Sequence, residues 1–236
     1  HPADVYDKYM NLNSNIKRMD SLMIASGCKR MSRLEIIYQS TSNAIRLIHR
    51  LGNEELIAAD LMHYLNEDDY NRAIYYCKSD DVMPRLEKAL QEAEKVKELM
   101  SDESRYEFSE YQLLIRVLAE QSKSDVDGKT LPKNKNEITA SGLQNPSDPD
   151  ATYRSKAGKN HKGYVCNLVE TVGENGDSLI TGTGYEQNIH SDSAFFKEYL
   201  ERRAEDAEPE IMITDGAYGG MENQALAEAK NVELIT

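Results

Sequence analysis

The stretch NIKRMDSLMIAS, residues 15–26, is apolar at Ile16, Met19, Leu22, Met23 and Ile24, yet it carries Asp20 at its centre. Withdrawing an unpaired carboxylate from water costs several kcal/mol, so a strand with one in its middle implies a partner or a task for it. EIMITDGAYGG, residues 210–220, has the same make-up: an apolar run (Ile211, Met212, Ile213) meets Asp215 and leaves through a Gly-rich exit. In open α/β sheets, ligands and chemistry collect at the carboxyl ends of strands. Two carboxylates brought together there repel unless a cation lies between them, and oxygen-only ligands favour a hard divalent ion, Mg2+ or Mn2+. Paired carboxylates of this kind build phosphoryl-transfer sites. The plainer reading is that Asp215 only orders the turn TDGAY, and the residues by themselves leave both open.

Around these stretches the pattern changes three times. MSRLEIIYQSTSNAIRLIHRLG (31–52) has Ser32 and Glu35 in capping-box spacing, helical repetition through Leu34, Ile37, Tyr38, Thr41, Ile45, Ile48 and Leu51, and Gly52 as a stop. PRLEKALQEAEKVKELM (84–100) opens with Pro84 in a first turn, and SRYEFSEYQLLIRVLAEQ (104–121) has a second box in Ser104 and Glu107. Residues 29–121 are therefore expected to form an all-α block. Gly, Pro, Ser, Asn and charge dominate residues 122–150, the composition of a mobile linker or long loop. Strand candidates follow at 162–172 and 178–187, joined by the turn sequence GENGD. Then come a helix from Asp192, the strand into Asp215, a short helix from Met221 and a last strand, VELIT. With the helical block set aside, residues 1–28 and 151–236 make one α/β domain with a mixed sheet, interrupted after its first strand.

Composition narrows the class. The 236 residues carry a formal net charge of −13, which argues against a binder of nucleic acid over its whole surface but not against a local basic patch. Such a patch occurs in YRSKAGKNHKGY (153–164), with Arg154, Lys156, Lys159 and Lys162; its plainer reading is a solvated loop. Three widely spaced cysteines suggest neither a disulfide framework nor a zinc site and fit a reducing cytoplasm. No apolar run is long enough to span a bilayer, and no secretory leader is visible. The chain does not begin with Met, which points to a fragment.

RMDSLMIAS followed by RMSRLE, then DPDATYRSKAGKNHKGYVCNLVET, NIHSDSAF and ITDGAYGGMEN, together resemble bacterial insertion-sequence transposases of the DDE superfamily, in order along nearly the whole chain. The likeness is closest to members with a helical insertion after the first core strand. The resemblance implies an RNase H-like fold whose first and fourth strands are neighbours, with Asp20 and Asp215 as the first two acidic residues of a Mg2+ (or Mn2+) site. It also implies DNA as partner (transposon ends and target), a homodimer, no membrane association, and a cytoplasmic location at the bacterial nucleoid. Arg154, Lys156, Lys159 and Lys162 become phosphate contacts on this reading. The third acidic residue, a Glu on a helix beyond the last strand, has no match within 1–236, and Glu222 lies in the wrong context. The chain is thus expected to be a core fragment, truncated before the last helix, that binds metal weakly and cuts DNA hardly at all by itself. The alternative is a non-catalytic, truncated transposase serving as a dimerisation or interaction module; a metal-dependent nuclease unrelated to transposition is a third option.

Other residues carry blander expectations. Asp148 and Asp150 lie in a Pro-rich turn, Ser191 or Asp192 caps a helix, and His49 and His63 are structural. Tyr218 either packs behind the site or touches DNA. Ser21 has no neighbouring base to activate it, and TGTGYE lacks the Lys and helix of a phosphate loop.

Overall fold

A computed structural model of the chain describes residues 12–76, 78–101, 105–156, 158–173 and 176–236. In chain order the elements are β1 (Asn13–Ala25), α1 (Arg33–Arg50), α2 (Glu67–Ile74), α3 (Val82–Leu99), α4 (Ser109–Gln121), β2 (Ser122–Ser124), β3 (Thr130–Pro132), β4 (Thr152–Lys156), β5 (Lys159–Val172), β6 (Ser178–Gln187), α5 (Asp192–Arg202), β7 (Glu210–Ile213), α6 (Met221–Ala229) and β8 (Val232–Ile235). The contacts divide the chain into two compact units: the chain up to Ala25 together with 154–236, and residues 26–153. Among the described residues, no helix is long and apolar enough to cross a membrane.

The first unit is a mixed α/β layer. Its sheet runs β4–β5–β1–β7–β8, with β6 also paired to β5. β5 is antiparallel to both β1 and β6, and the pairing with β6 is the one the Gly- and Asn-containing GENGD sequence between them favours. β1, β7 and β8 are mutually parallel, with α5 and α6 providing the crossovers that parallel strands need. On β5 the alternating residues Val165, Asn167, Val169 and Thr171 are buried. Met19, Val169, Met212 and Val232 from this face meet Phe196 and Leu200 of α5 and Ala227 of α6 in one apolar cluster. The opposite face leaves Leu22, Ile180, Tyr185, Ile213 and Ile235 exposed. The glycines of TGTGYE have a packing reason, since a Cβ at Gly184 would lie 2.8 Å from the Phe195 ring. At the far end of the covered face, Glu210 accepts from Tyr199 (2.6 Å) and pairs with Lys17 (2.8 Å) and Arg203 (2.7 Å).

The second unit is mainly helical. α1 is buried nearly all round, Ile36, Ser40, Ala44 and Leu47 included, because α3 and α4 pack against it along with a 3-10 segment at 59–65. It is wider in burial than a one-faced amphipathic helix. The Ser32–Glu35 capping box is present, and Gly52 follows the helix with φ of +76°. The helix expected from Ser104 starts later, at Ser109, with Phe108 as an N-cap that supplies no side-chain bond; Ser104 itself lies outside the described residues. Cys77 and residues 174–175 of the GENGD turn also lie outside them.

Residues 122–150, expected from composition to be a mobile linker or long loop, are tied into this unit. They contain the β2–β3 hairpin, and Leu143 is buried in the helical core. Arg33 of α1 donates to the Lys133 carbonyl at 2.7 Å, Arg116 of α4 to that of Pro149 at 2.6 Å, and Glu120 accepts from the Leu143 amide at 2.7 Å. Gly-, Pro- and Asn-rich sequence suits irregular backbone as well as mobile chain, and long helix-borne side chains here bind its polar groups.

Glu35 yields a pH prediction for this unit. Its burial alone would raise its pKa. The Ser32 amide (2.6 Å), Lys29 (2.9 Å) and the Tyr70 hydroxyl (2.9 Å) outweigh that and bring it down to about 2, from 4.5. A depressed carboxylate pKa contributes stability that is full above the unfolded value and is lost as pH falls through the folded one. Glu35→Gln is therefore expected to cost about 1–2 kcal/mol at pH 7, after allowance for solvent screening. The difference from wild type should vanish between pH 4.5 and 2. Urea unfolding at stepped pH checks this; a difference that persists at pH 2 would refute it.

Candidate active site

The β1–β7 pairing runs Ile16–Ile211, Lys17–Met212 and Arg18–Ile213. Extrapolated two residues past its last pair, that register would bring Asp215, just after the end of β7, level with Asp20 in the body of β1. Both aspartates are exposed, and among the described residues neither is in an ion pair. Asp20 Oδ1 accepts from the Ser21 amide at 2.7 Å, and Asp215 Oδ1 from the Ala217 amide at 2.9 Å, closing the turn expected of TDGAY. The turn and any site role coexist in Asp215.

Asp20 corrects the premise that singled it out. It is not withdrawn from water: it lies on the face away from α5 and α6, in a cleft of about 200 Å³ lined by Arg18, Leu22, Leu168, Glu170 and Ile180. The carboxylate that is withdrawn is Asp192, 2% exposed. Ser191, not Asp192, caps α5, accepting from the Ala194 amide at 3.1 Å. Asp192 Oδ1 accepts from the Ser21 hydroxyl, while Oδ2 faces Arg154 at 3.2 Å and Lys156 at 3.6 Å. Burying a carboxylate is tolerable only with such partners.

Ser21 points to the covered face because strand side chains alternate, placing it opposite Asp20. Its oxygen accepts from the Tyr218 hydroxyl at 3.0 Å, and Tyr218 in turn accepts from Asn167 Nδ2 at 2.8 Å. The same Asn167 nitrogen lies 3.4 Å from the Asp20 carbonyl. Tyr218 is 0% exposed, so it packs behind the two strands and offers no surface to DNA. Burial pushes its hydroxyl pKa up, the Ser21 bond opposes this, and the carboxylates of Asp192, Asp20 and Asp215 all add to the rise. Asn223 holds the Tyr218 carbonyl at 2.7 Å and anchors the turn to α6.

The basic residues lie on strands rather than in a loop: Arg154 and Lys156 on β4, Lys159 and Lys162 on β5, with Gly158 at φ +73° in the turn between them. Arg154 also donates to the His190 carbonyl at 3.0 Å, so its charge is largely spent within the fold. Lys159 is exposed. Glu222 on α6 pairs with Lys197 at 2.5 Å. Asp148 accepts from Ser26 inside the helical unit, as a turn residue does. His63 is held by Asp69 at 2.9 Å.

The sequence reading missed Asp192 and Asn167 as members of this cluster. Asn167 had a signal, as the one amide among the inward-facing residues of YVCNLVET; Asp192 had none, because its position also suits an N-cap. Two exposed carboxylates are a donor set that suits a hard divalent ion, yet among the described residues no group of three or more His, Cys, Asp or Glu is placed to hold a metal. No protein-family model matches the chain, and no curated protein or solved structure matches it.

Proposed function

We propose that the sheet unit is an RNase H-like core of the DDE-transposase kind, which acts on DNA phosphodiesters with a divalent ion between Asp20 and Asp215. The observation that carries this reading is the parallel β1–β7 register, which, continued two residues, would bring Asp215 level with Asp20. If the five-residue β4 is set aside as an addition to the sheet, β1 and β7 are its first and fourth strands and are neighbours, the arrangement that the resemblance implies. Bound Mg2+ or Mn2+ would polarise a phosphate oxygen and lower the pKa of a water or a DNA 3′-hydroxyl. The chain's own part is to present two carboxylates at fixed separation and to hold the backbone of the nucleic acid. Lys159 and Lys162 are the proposed phosphate contacts, with Arg154 and Lys156 shared between phosphate and Asp192. DNA and a second copy of the chain are the partners this reading entails, at the nucleoid.

A second reading is a non-catalytic interaction module: among the described residues no group of three or more His, Cys, Asp or Glu is placed to hold a metal, and Glu170 of the Asp20 cleft pairs with Arg18 instead. Supercoiled plasmid incubated with the chain in Mn2+ separates the two. Trace nicking that disappears in both Asp20→Asn and Asp215→Asn is expected. Nicking that survives either substitution would sink the catalytic reading, and self-association with no metal-dependent nicking would favour the module.

A further inference from the structure

We infer that Asn167, Tyr218, Ser21 and Asp192 form a positioning relay that sets the separation of Asp20 and Asp215; this rests on the two-aspartate reading of the site. The β1–β7 ladder stops at Arg18–Ile213, two residues short of either aspartate. Beyond that point the backbone does not hold the two carboxylates together, and as like charges they push apart. What spans the gap is a side-chain chain with one direction of donation: Asn167 Nδ2 to the Tyr218 hydroxyl, that hydroxyl to Ser21 Oγ, and Ser21 Oγ to Asp192.

Each link is tied to an aspartate's backbone. Ser21 follows Asp20 and gives it its amide, and Asn167 reaches the Asp20 carbonyl. Tyr218 closes the turn that Asp215 opens, its amide donating to the Asp215 carbonyl at 3.2 Å. The Tyr218–Ser21 bond is therefore a strut between the two aspartate-bearing segments. Asp192 is its fixed end: a buried acceptor on α5, neutralised by Arg154 and Lys156, which cannot turn away to water. Chains of this kind polarise one another and hold geometry more firmly than their separate bonds. Arg154 and Lys156, on this view, serve the site from behind.

The relay is a positioning device, so it is read through cation affinity and spectroscopy at constant stability. Mn2+ is titrated into the full chain and into Ser21→Ala and Tyr218→Phe, with Asp20→Asn and Asp215→Asn beside them. Thermal midpoints and the paramagnetic broadening of the Ser21 and Ala217 amides are followed together. In wild type both amides are expected to broaden at one Mn2+ concentration. In Ser21→Ala and Tyr218→Phe, affinity should fall about tenfold and the two amides should broaden separately, as outer-shell losses do to metal sites. Asp192→Asn risks unfolding through an unpaired Arg154, which is why the milder pair carries the test. Wild-type affinity and joint broadening in Ser21→Ala and Tyr218→Phe, with binding lost in both aspartate variants, would overturn the relay alone. Mn2+ binding absent from wild type, or untouched in the aspartate variants, would overturn the two-aspartate site and the relay with it.

Discussion

Glu210→Ala is expected to destabilise the sheet unit by about 3–5 kcal/mol, the cost typical of breaking a buried ion pair from one side. Glu210 is 5% exposed and sits between Lys17 and Arg203, with the Tyr199 hydroxyl on its other oxygen. Removing the carboxylate leaves two cations facing one another in poor contact with water. Lys17 already shows the balance: burial pushes its pKa down, but Tyr199 and Glu210 more than restore it, and the net shift is upward. Without Glu210 only the Tyr199 contact is left to set against that burial. Because β7 begins at Glu210 and pairs with β1 one residue later, the loss falls on the strands that carry Asp20 and Asp215. Hydrogen exchange of β1 and β7 amides under rising denaturant reads it directly. The partner substitution Lys17→Met should recover part of the loss in the double variant, and a loss below about 1 kcal/mol would show that the cluster is idle.

Asp20→Asn is expected to change the sign of its effect with the cation. In metal-free buffer it removes one of two neighbouring carboxylates and should raise stability by about 0.5–1 kcal/mol, the range for exposed charges. In Mn2+ at about a hundred times the dissociation constant, the wild type gains about 2.7 kcal/mol by mass action while the variant gains nothing. The two melting curves therefore cross as Mn2+ is added. Asp215→Asn should behave alike, less the turn bond from the Ala217 amide. Curves that keep their order at every Mn2+ concentration would mean that the two carboxylates share no ion.

What could be read from residues alone follows from which forces are local. Strand alternation and turn chemistry placed β5, β6 and the strand into Asp215, and the Ser32–Glu35 spacing placed the start of α1. Burial was less legible. Asp20 was singled out for being buried, and it is not; the face of β1 that it shares with Leu22 carries apolar residues that remain exposed. Composition cannot tell a mobile linker from a long loop whose carbonyls are held by distant arginines, so it left residues 122–150 open between the two. Asp192 fits both an N-cap and a buried acceptor, and only the register that brings Ser21 over it decides between them.

The most direct test of the central claim is a calorimetric Mn2+ titration of the full chain, with Asp20→Asn and Asp215→Asn measured alongside. One weak site is predicted, with a dissociation constant on the order of 10⁻⁴–10⁻³ M for so few carboxylates, and it should be lost in both variants. Binding that persists in either variant, or no binding by wild type at millimolar Mn2+, would contradict a site shared by Asp20 and Asp215.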